Sequence, residues 1–227
     1  MGLTQIQSIP SGAFSVPLVS TAISKPCACS ASPNVLKASA RWGAPEGVPA
    51  IVLTVLTPTG ETAELAAIRR AMDTINRCRG PVRHRFSVRQ GHRHFVHLQA
   101  TVGHDPARLP EDIEADIRRA LGVQALAATP TPQDPGLFGL AMRDFHASVH
   151  ASQLLAAIQN VAGVAWARLV AAQVIPAVPP VDPELLPTPG FAVVQPLLPC
   201  PLDGLLALHA RHLTLGLVAV SDDQECR

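Results

Sequence analysis

The chain has 227 residues, of which 48% are apolar, and a formal net charge of +1. This length allows one or two domains with hydrophobic cores, and the near-neutral charge argues against a general polyanion binder. The longest apolar runs, 161–170 and 213–220, are well short of the roughly 20 residues that cross a bilayer. The first residues also lack the basic and apolar regions of a secretory signal, so we expect neither a signal nor a membrane span.

The cysteines are odd in number and show no repeated spacing, which argues against a disulfide framework. They are Cys27, Cys29, Cys78, Cys200 and Cys226. The first two could supply two thiolates to a metal, but a structural zinc site needs four ligands and no second pair has a matching spacing. We therefore expect free thiols, no metal and no cofactor.

The N-terminal half of the sequence predicts an arm followed by a folded unit. Residues 1–47 are rich in Ser, Pro, Ala and Gly and predict an extended or poorly ordered arm. The β-branched run 51–56 predicts a buried strand. Apolar residues at three- to four-residue spacing predict an amphipathic helix over 65–79, and strands are expected at 82–88 and 95–102.

The remaining elements follow from the same patterns. Residues 113–121 repeat an apolar side chain every four positions and predict a second helix that ends at Gly122. A short strand at 140–145, a third helix at 150–160 and a strand at 165–175 come next. Seven prolines then exclude an ordinary helix or central strand in the following stretch. The final strand is expected at 213–218.

This order of elements predicts an α+β fold in two layers, with three helices on mostly antiparallel sheets built from ferredoxin-like split β-α-β units. The expected divisions are an arm, a first α/β unit, a second α/β unit that includes a proline-rich surface loop or clasp, and a polar tail. Their bounds are 1–47, 48–123, 124–220 with the loop at 176–201, and 221–227.

Several short motifs occur in an order that resembles a known family. They are the 65–79 helix before the 83–88 strand, the 95–102 strand before Gly103-His104-Asp105-Pro106 and the 113–121 helix, Phe138-Gly139, Ser152 opening a helix, Val161-Ala162-Gly163-Val164, and Leu205-Leu206-Ala207-Leu208 before the last strand. Over residues 50–220 the chain resembles the C-terminal half of baseplate J-like proteins, the wedge subunits of contractile phage tails and extracellular injection systems. It departs from that family in its short N-terminal region and its long proline-rich stretch.

The resemblance implies a structural wedge component without enzymatic activity. Such a protein would be present in several copies in a ring around the central spike and hub. Its partners would be other wedge proteins, the hub or spike, and the sheath or tube initiator. It would assemble in the cytoplasm and become part of a tail or of an injection particle that can leave the cell.

The main chemical alternative lies in a stretch rich in histidine and arginine, residues 83–97. Its members are His84, His92, His94 and His97 with Arg83, Arg85, Arg89 and Arg93. On an extended strand His92 and His94 would share a face and could bind a divalent metal. The arginines could bind phosphate groups, with Phe86 and Phe95 stacking on bases. The alternative function is therefore a nucleic-acid- or metal-associated binding domain.

The surrounding arginines would repel a metal ion, and no nucleic-acid motif is present. A polar strand pair at the sheet surface accounts for the same residues, and a basic edge could dock an acidic surface of a neighbouring subunit. Trp42 could anchor the arm to a neighbour, and Trp166 is expected in the core or in an interface. The predicted interface residues are Trp42, Arg83, Arg85, Arg89 and Arg93.

A hydrolase site is the last alternative. Ser148 or Ser152 would act with His146 or His150 and an acid such as Asp144. The chain has no Gly-x-Ser-x-Gly elbow, and Ser152 is explained more simply as a helix N-cap. We expect no catalytic residues.

Overall fold

The computed structural model of the protein describes residues 35–78, 85–126, 130–177 and 182–220. Within these ranges it contains twelve helices and strands. In chain order they are β1 (Lys37–Gly43), β2 (Ala50–Leu56), α1 (Thr62–Cys78), β3 (Phe86–Gln90), β4 (His92–His104), α2 (Pro110–Leu121), β5 (Val149–His150), α3 (Ala151–Gln159), β6 (Val164–Val174), β7 (Leu197–Leu198), β8 (Gly204–Ala207) and β9 (Leu213–Ala219).

The first sheet has the strand order β1-β2-β3 and carries α1 on one face. β1 and β2 are antiparallel, whereas β2 and β3 are parallel and joined through α1 as a β-α-β crossover. Leu53 pairs with Val88, so the two side chains share a face. Together with Ile68 of α1 they form a small apolar core, as the helical spacing of that segment predicts.

The second sheet is built around β4, the longest strand, with 13 residues. β6 runs antiparallel along one edge of β4, and β8 and β9 run parallel to it along the other edge. His92 pairs with Gly204 of β8, and Leu98 pairs with Leu213 of β9. The two short strands therefore act as one strand, interrupted by a 3-10 turn at Ala210–His212.

Helices α2 and α3 cover one face of the second sheet and form the main core with it. Val96, Leu98, Ala100 and Val102 alternate along β4 and all point into this core. The helices contribute the side chains that the sequence periodicity predicts, each of them fully buried: Ile113, Ile117, Leu121, Leu154 and Ile158.

The end of α2 is closed by backbone groups from later in the chain. Gly122 has a φ of +69°, and the amides of Leu137 and Phe138 donate to the carbonyls of Ala120 and Leu121. A Cβ on Gly122 would lie 2.6 Å from the Gly139 nitrogen, so only glycine permits this close approach. The Phe138-Gly139 motif thus packs against the end of a helix.

Polar side chains of the first sheet contact the second unit at two places, Asp203 and Leu140. The carboxylate of Asp203, just before β8, accepts a hydrogen bond from Thr54 at 3.1 Å and lies 3.4 Å from both Arg41 and Arg89. Lys37 of β1 donates to the carbonyl of Leu140 at 2.7 Å. Leu56, Leu140 and Leu205 form an apolar cluster between them, so one face of the first sheet is covered by the second unit.

The predicted α+β class with three helices is confirmed, but the sheets are mixed. Among the described strands, three pairings are parallel and three antiparallel, rather than mostly antiparallel. The strands of each parallel pair, β2 with β3, β4 with β8 and β4 with β9, are direct neighbours, so none of these pairs has the intervening strand of a split β-α-β unit. None of the helices in the described ranges is long and apolar enough to cross a membrane.

Three local predictions need correction. Residues 37–43, assigned to the arm, form β1, because pairing with β2 satisfies their backbone groups. The predicted strand at 140–145 is wrong: these residues form turns whose apolar side chains pack between the units. β8 was not predicted. The rest of the arm, 1–34, and the tail at 221–227 lie outside the described residues.

Candidate interaction surfaces

One face of the second sheet is uncovered toward the end of β4, opposite α2 and α3. Thr101 pairs with Arg168 of β6 and Gly216 of β9, and Gly103 pairs with Trp166 and Val218 in the same way. Paired residues share a face, which defines the open sheet face. Its residues are Gln99, Thr101, Gly103, Trp166, Arg168, Thr214, Gly216 and Val218. It combines a large aromatic group with small, polar and positively charged side chains.

Trp166 is the largest side chain of the open sheet face. A Cβ added to Gly103 would lie 2.1 Å from the indole nitrogen, so the missing side chain of Gly103 provides the space in which the ring lies. The residue is nevertheless 41% exposed. Trp166 was expected in the core or in an interface; it lies on a sheet surface, and its contact with a partner stays a prediction.

The proline-rich segment, defined here by its described residues 182–201, runs along the outer edge of β6. Ala172 donates to the carbonyl of Val193 at 2.8 Å, and Gln195 donates back to Ala172 at 2.8 Å. Leu186 and Leu198 are buried and anchor the segment. Other apolar side chains project into solvent, among them Leu185, Phe191, Val193, Val194 and Leu197. Anchored backbone with exposed apolar side chains is typical of a docking surface.

Three buried histidines meet where this segment crosses β4, and we call them the histidine cluster. They are His97 of β4, His209 and His212, with exposed fractions of 6%, 2% and 0%. The His209 and His212 ring centroids are 6.2 Å apart, and a ring nitrogen of His212 lies 3.0 Å from the Pro183 carbonyl. The cluster thus joins β4, the 3-10 turn before β9 and the proline-rich segment.

Burial lowers the pKa of each histidine in the cluster. For His97 and His209, the neighbouring His212 lowers the pKa further, because two imidazolium charges would repel each other. For His212, burial lowers the pKa and the Pro183 carbonyl opposes that shift. The Nδ1 atoms of His97 and His212 are buried and have no hydrogen-bond partner among the described residues. Burial and the neighbouring histidines therefore favour neutral imidazoles, so the contact between the proline-rich segment and β4 is sensitive to acid.

The sequence stretch with histidine and arginine is only partly exposed. His92 and His94 lie two residues apart on β4 and so share a face. Burial lowers the pKa of His94, and the charge of His92 lowers it further. Within the described ranges, no three His, Cys, Asp or Glu side chains are placed to hold a metal ion. Phe95 is 2% exposed and packs with Ile175, so its ring cannot stack on a base.

The predicted interface residues lie in different environments. Arg83 is outside the described residues, and Arg85 is exposed just before β3. Arg89 forms an ion pair with Asp203, and Arg93 lies over the Phe95 ring, with its guanidinium carbon 5.5 Å from the ring centroid. Trp42, near the end of β1, is 66% exposed. Arg89 and Arg93 thus already have partners within the chain, and an interface formed by these residues stays a prediction.

The candidate hydrolase residues take part in other contacts. Asp144 lies 3.4 Å from Lys37, and a ring nitrogen of His146 lies 2.9 Å from the Cys200 carbonyl. The Ser148 carbonyl accepts a hydrogen bond from buried Arg143. The start of α3 is capped at His150, whose amide donates to Gln153, and not at Ser152.

The histidine cluster was missed by sequence analysis in part. His97 was considered, but His209 and His212 were not, although their three-residue spacing is a signal for side chains close in space. The open sheet face was not predicted either, since it depends on strand pairing. Comparison with known proteins adds no assignment: neither a protein-family model nor a curated protein matches the chain.

Proposed function

We propose that the protein is a non-enzymatic structural subunit that assembles through protein–protein contacts, and specifically a wedge component of a contractile-tail or injection-system baseplate. The general proposal is supported by geometry, and the specific one by the order of motifs over residues 50–220 that resembles baseplate J-like proteins. Its partners would be other wedge proteins, the hub or spike, and the sheath or tube initiator, with assembly in the cytoplasm.

The observation that carries the proposal is the exposure of large apolar side chains on the open sheet face and along the outer edge of β6. On one side lies the open sheet face with Trp166, and along the strand edge the proline-rich segment exposes Phe191, which is 83% accessible. Aromatic side chains such as Trp and Phe are enriched at the centres of protein interfaces. Polar and small residues between them limit the buried apolar area, as suits contacts that must rearrange when the machine is triggered.

The test is affinity purification of the tagged protein from its native host, followed by electron microscopy and mass spectrometry. We expect ring- or tail-like particles that contain sheath and spike proteins. Phe191→Asp should reduce the recovery of these partners, because it places a charge in the proposed contact. Met142→Asp is the matched control, since Met142 is 69% exposed and lies in the turn after Gly139, outside β6 and the proline-rich segment.

Both variants must first show the circular dichroism and unfolding behaviour of the wild type. A protein that purifies alone, or with nucleic acid or metal, would contradict the baseplate proposal. Equal loss of partners in the two variants would contradict the proposed surface.

A further inference from the structure

A cleft of about 290 Å³ lies between the end of α2, the following loop and β8. Its walls are largely apolar and include Val123, Phe138, Leu140 and Ala207. Three arginines also line it: Arg93, Arg118 and Arg119. The volume is near the lower limit of the roughly 300–1,000 Å³ that is typical of small-molecule sites. It suits a ligand about the size of one or two side chains.

Most of the charges around this cleft are already paired. Arg118 donates to Glu114 at 2.7 Å, and Arg119 donates to Asp116 at 2.5 Å, both within α2. The one acidic side chain of the lining, Asp134, accepts hydrogen bonds from the Thr131 amide and hydroxyl. The charged groups of Arg118, Arg119 and Asp134 are therefore already engaged in contacts within the chain.

Arg93 is different. It donates to the side-chain oxygen of Gln124 at 2.8 Å and lies over the Phe95 ring, but within the described residues no carboxylate forms an ion pair with it. Burial lowers the pKa of Arg93, and no acidic group among the described residues opposes that shift. A desolvated guanidinium is normally compensated by an anion, so Arg93 is the group in this lining that an anionic ligand would pair with.

The nearby helix end does not prevent an anion from binding. The C-terminal end of a helix carries a partial negative charge that comes from unpaired carbonyls. Here the carbonyls of Arg118 and Arg119 accept from Val123 and Gly122, and those of Ala120 and Leu121 accept from the 137–138 amides. The four carbonyls are therefore satisfied, and the repulsion they would exert is reduced.

We propose that the cleft binds a carboxylate attached to an apolar group, with the carboxylate on Arg93 and the apolar group against Phe138 and Leu140. The planar guanidinium can donate to both oxygens of a carboxylate, and the apolar walls select against hydrated inorganic anions. The carboxylate can come from a free small acid or from an acidic side chain of a bound polypeptide. This site does not depend on the proposed function.

Calorimetry on the full chain with benzoate and benzamide tests the proposal, and the comparison of these two probes needs no variant. The two probes share shape but differ in charge, so benzoate should bind measurably and benzamide at least about tenfold more weakly. Arg93→Met should weaken benzoate binding by about tenfold or more. Arg85→Met, which removes the same charge at an exposed position outside the cleft, should leave it unchanged.

Two N-acetylated peptides, one with a central Glu between leucines and one with Gln in its place, distinguish the sources. Preference for benzoate assigns a free acid, and preference for the Glu peptide assigns a polypeptide side chain. Either result supports a carboxylate site. Equal binding of benzoate and benzamide, or no binding of either acidic probe, would overturn it, and this comparison holds even if Arg93→Met fails to fold.

Discussion

The two α/β units of the molecule use their sheet faces in opposite ways. The first sheet, β1–β3, has one face under α1 and the other under the second unit. The second sheet has two helices on one face and leaves the end of the other open. α1 contributes one buried residue, Ile68, whereas α2 and α3 contribute five that are completely buried.

This difference indicates that the two units differ in stability. The second unit has the larger core and can therefore keep part of a sheet face exposed without losing its fold. The first unit has a small core and depends on the junction at Asp203 and Leu140. Most of the free energy of unfolding should come from the second unit, and local opening should begin in the first.

The largest expected effect is a loss of core packing in the second unit. Ile117→Ala removes a fully buried side chain between α2 and the sheet, and it should lower the free energy of unfolding by about 2–5 kcal/mol. Ile68→Ala makes the same change in the first unit, where the surrounding core is small and can relax more, and it should cost less. Urea unfolding of both variants measures the difference. An equal or larger cost for Ile68→Ala would contradict the proposed difference in stability between the units.

Acid should weaken the second unit selectively, through the histidine cluster. Burial lowers the pKa of His97, His209 and His212 in the folded protein, so the unfolded chain binds more protons below its histidine pKa of about 6.5. The contribution of these histidines to the free energy of unfolding is fully present above that pH and is lost as the pH falls. The slope is at most about 1.4 kcal/mol per pH unit for each proton. Other charges near the cluster are Arg93, Arg211, Asp182 and Glu184.

Urea unfolding between pH 7.5 and 5 checks this dependence. His97→Gln should reduce the slope because it removes one proton-binding group. A slope that is unchanged in His97→Gln would show that the cluster does not cause the acid sensitivity. Hydrogen exchange should also show that protection in β4 and β9 falls faster with acid than protection in β2.

Local patterns predicted the helices because burial of one helical face follows from spacing alone. Ile113, Ile117 and Leu121 were assigned to one face and are all completely buried. β1 and β8 were not predicted, because they form by pairing with β2 and β4, which lie elsewhere in the chain. The residues at 140–145 looked like a strand, since apolar side chains that fill a junction resemble those that line a sheet.

The candidate surfaces were less predictable for the same reason. The open sheet face exists only when β6 and β9 pair with β4, and the histidine cluster requires residues more than a hundred positions apart. Arg89 and Arg93 looked available for a partner in the sequence. Their actual contacts, Asp203 and Gln124, are set by tertiary structure and cannot be read from a local charge pattern.

The smallest expected effect tests the junction. Asp203→Asn removes the negative charge beside Arg41 and Arg89 and weakens the acceptor of the buried Thr54 hydroxyl, which should cost about 1–2 kcal/mol. Asp144→Asn is the control, because its carboxylate is 73% exposed beside Lys37 and should contribute little. Hydrogen exchange sharpens the comparison: Asp203→Asn should lower protection in β2 and β3 while β4 and β6 keep theirs. A uniform loss of protection would show that the two units unfold together, and it would contradict the expectation that local opening begins in the first unit.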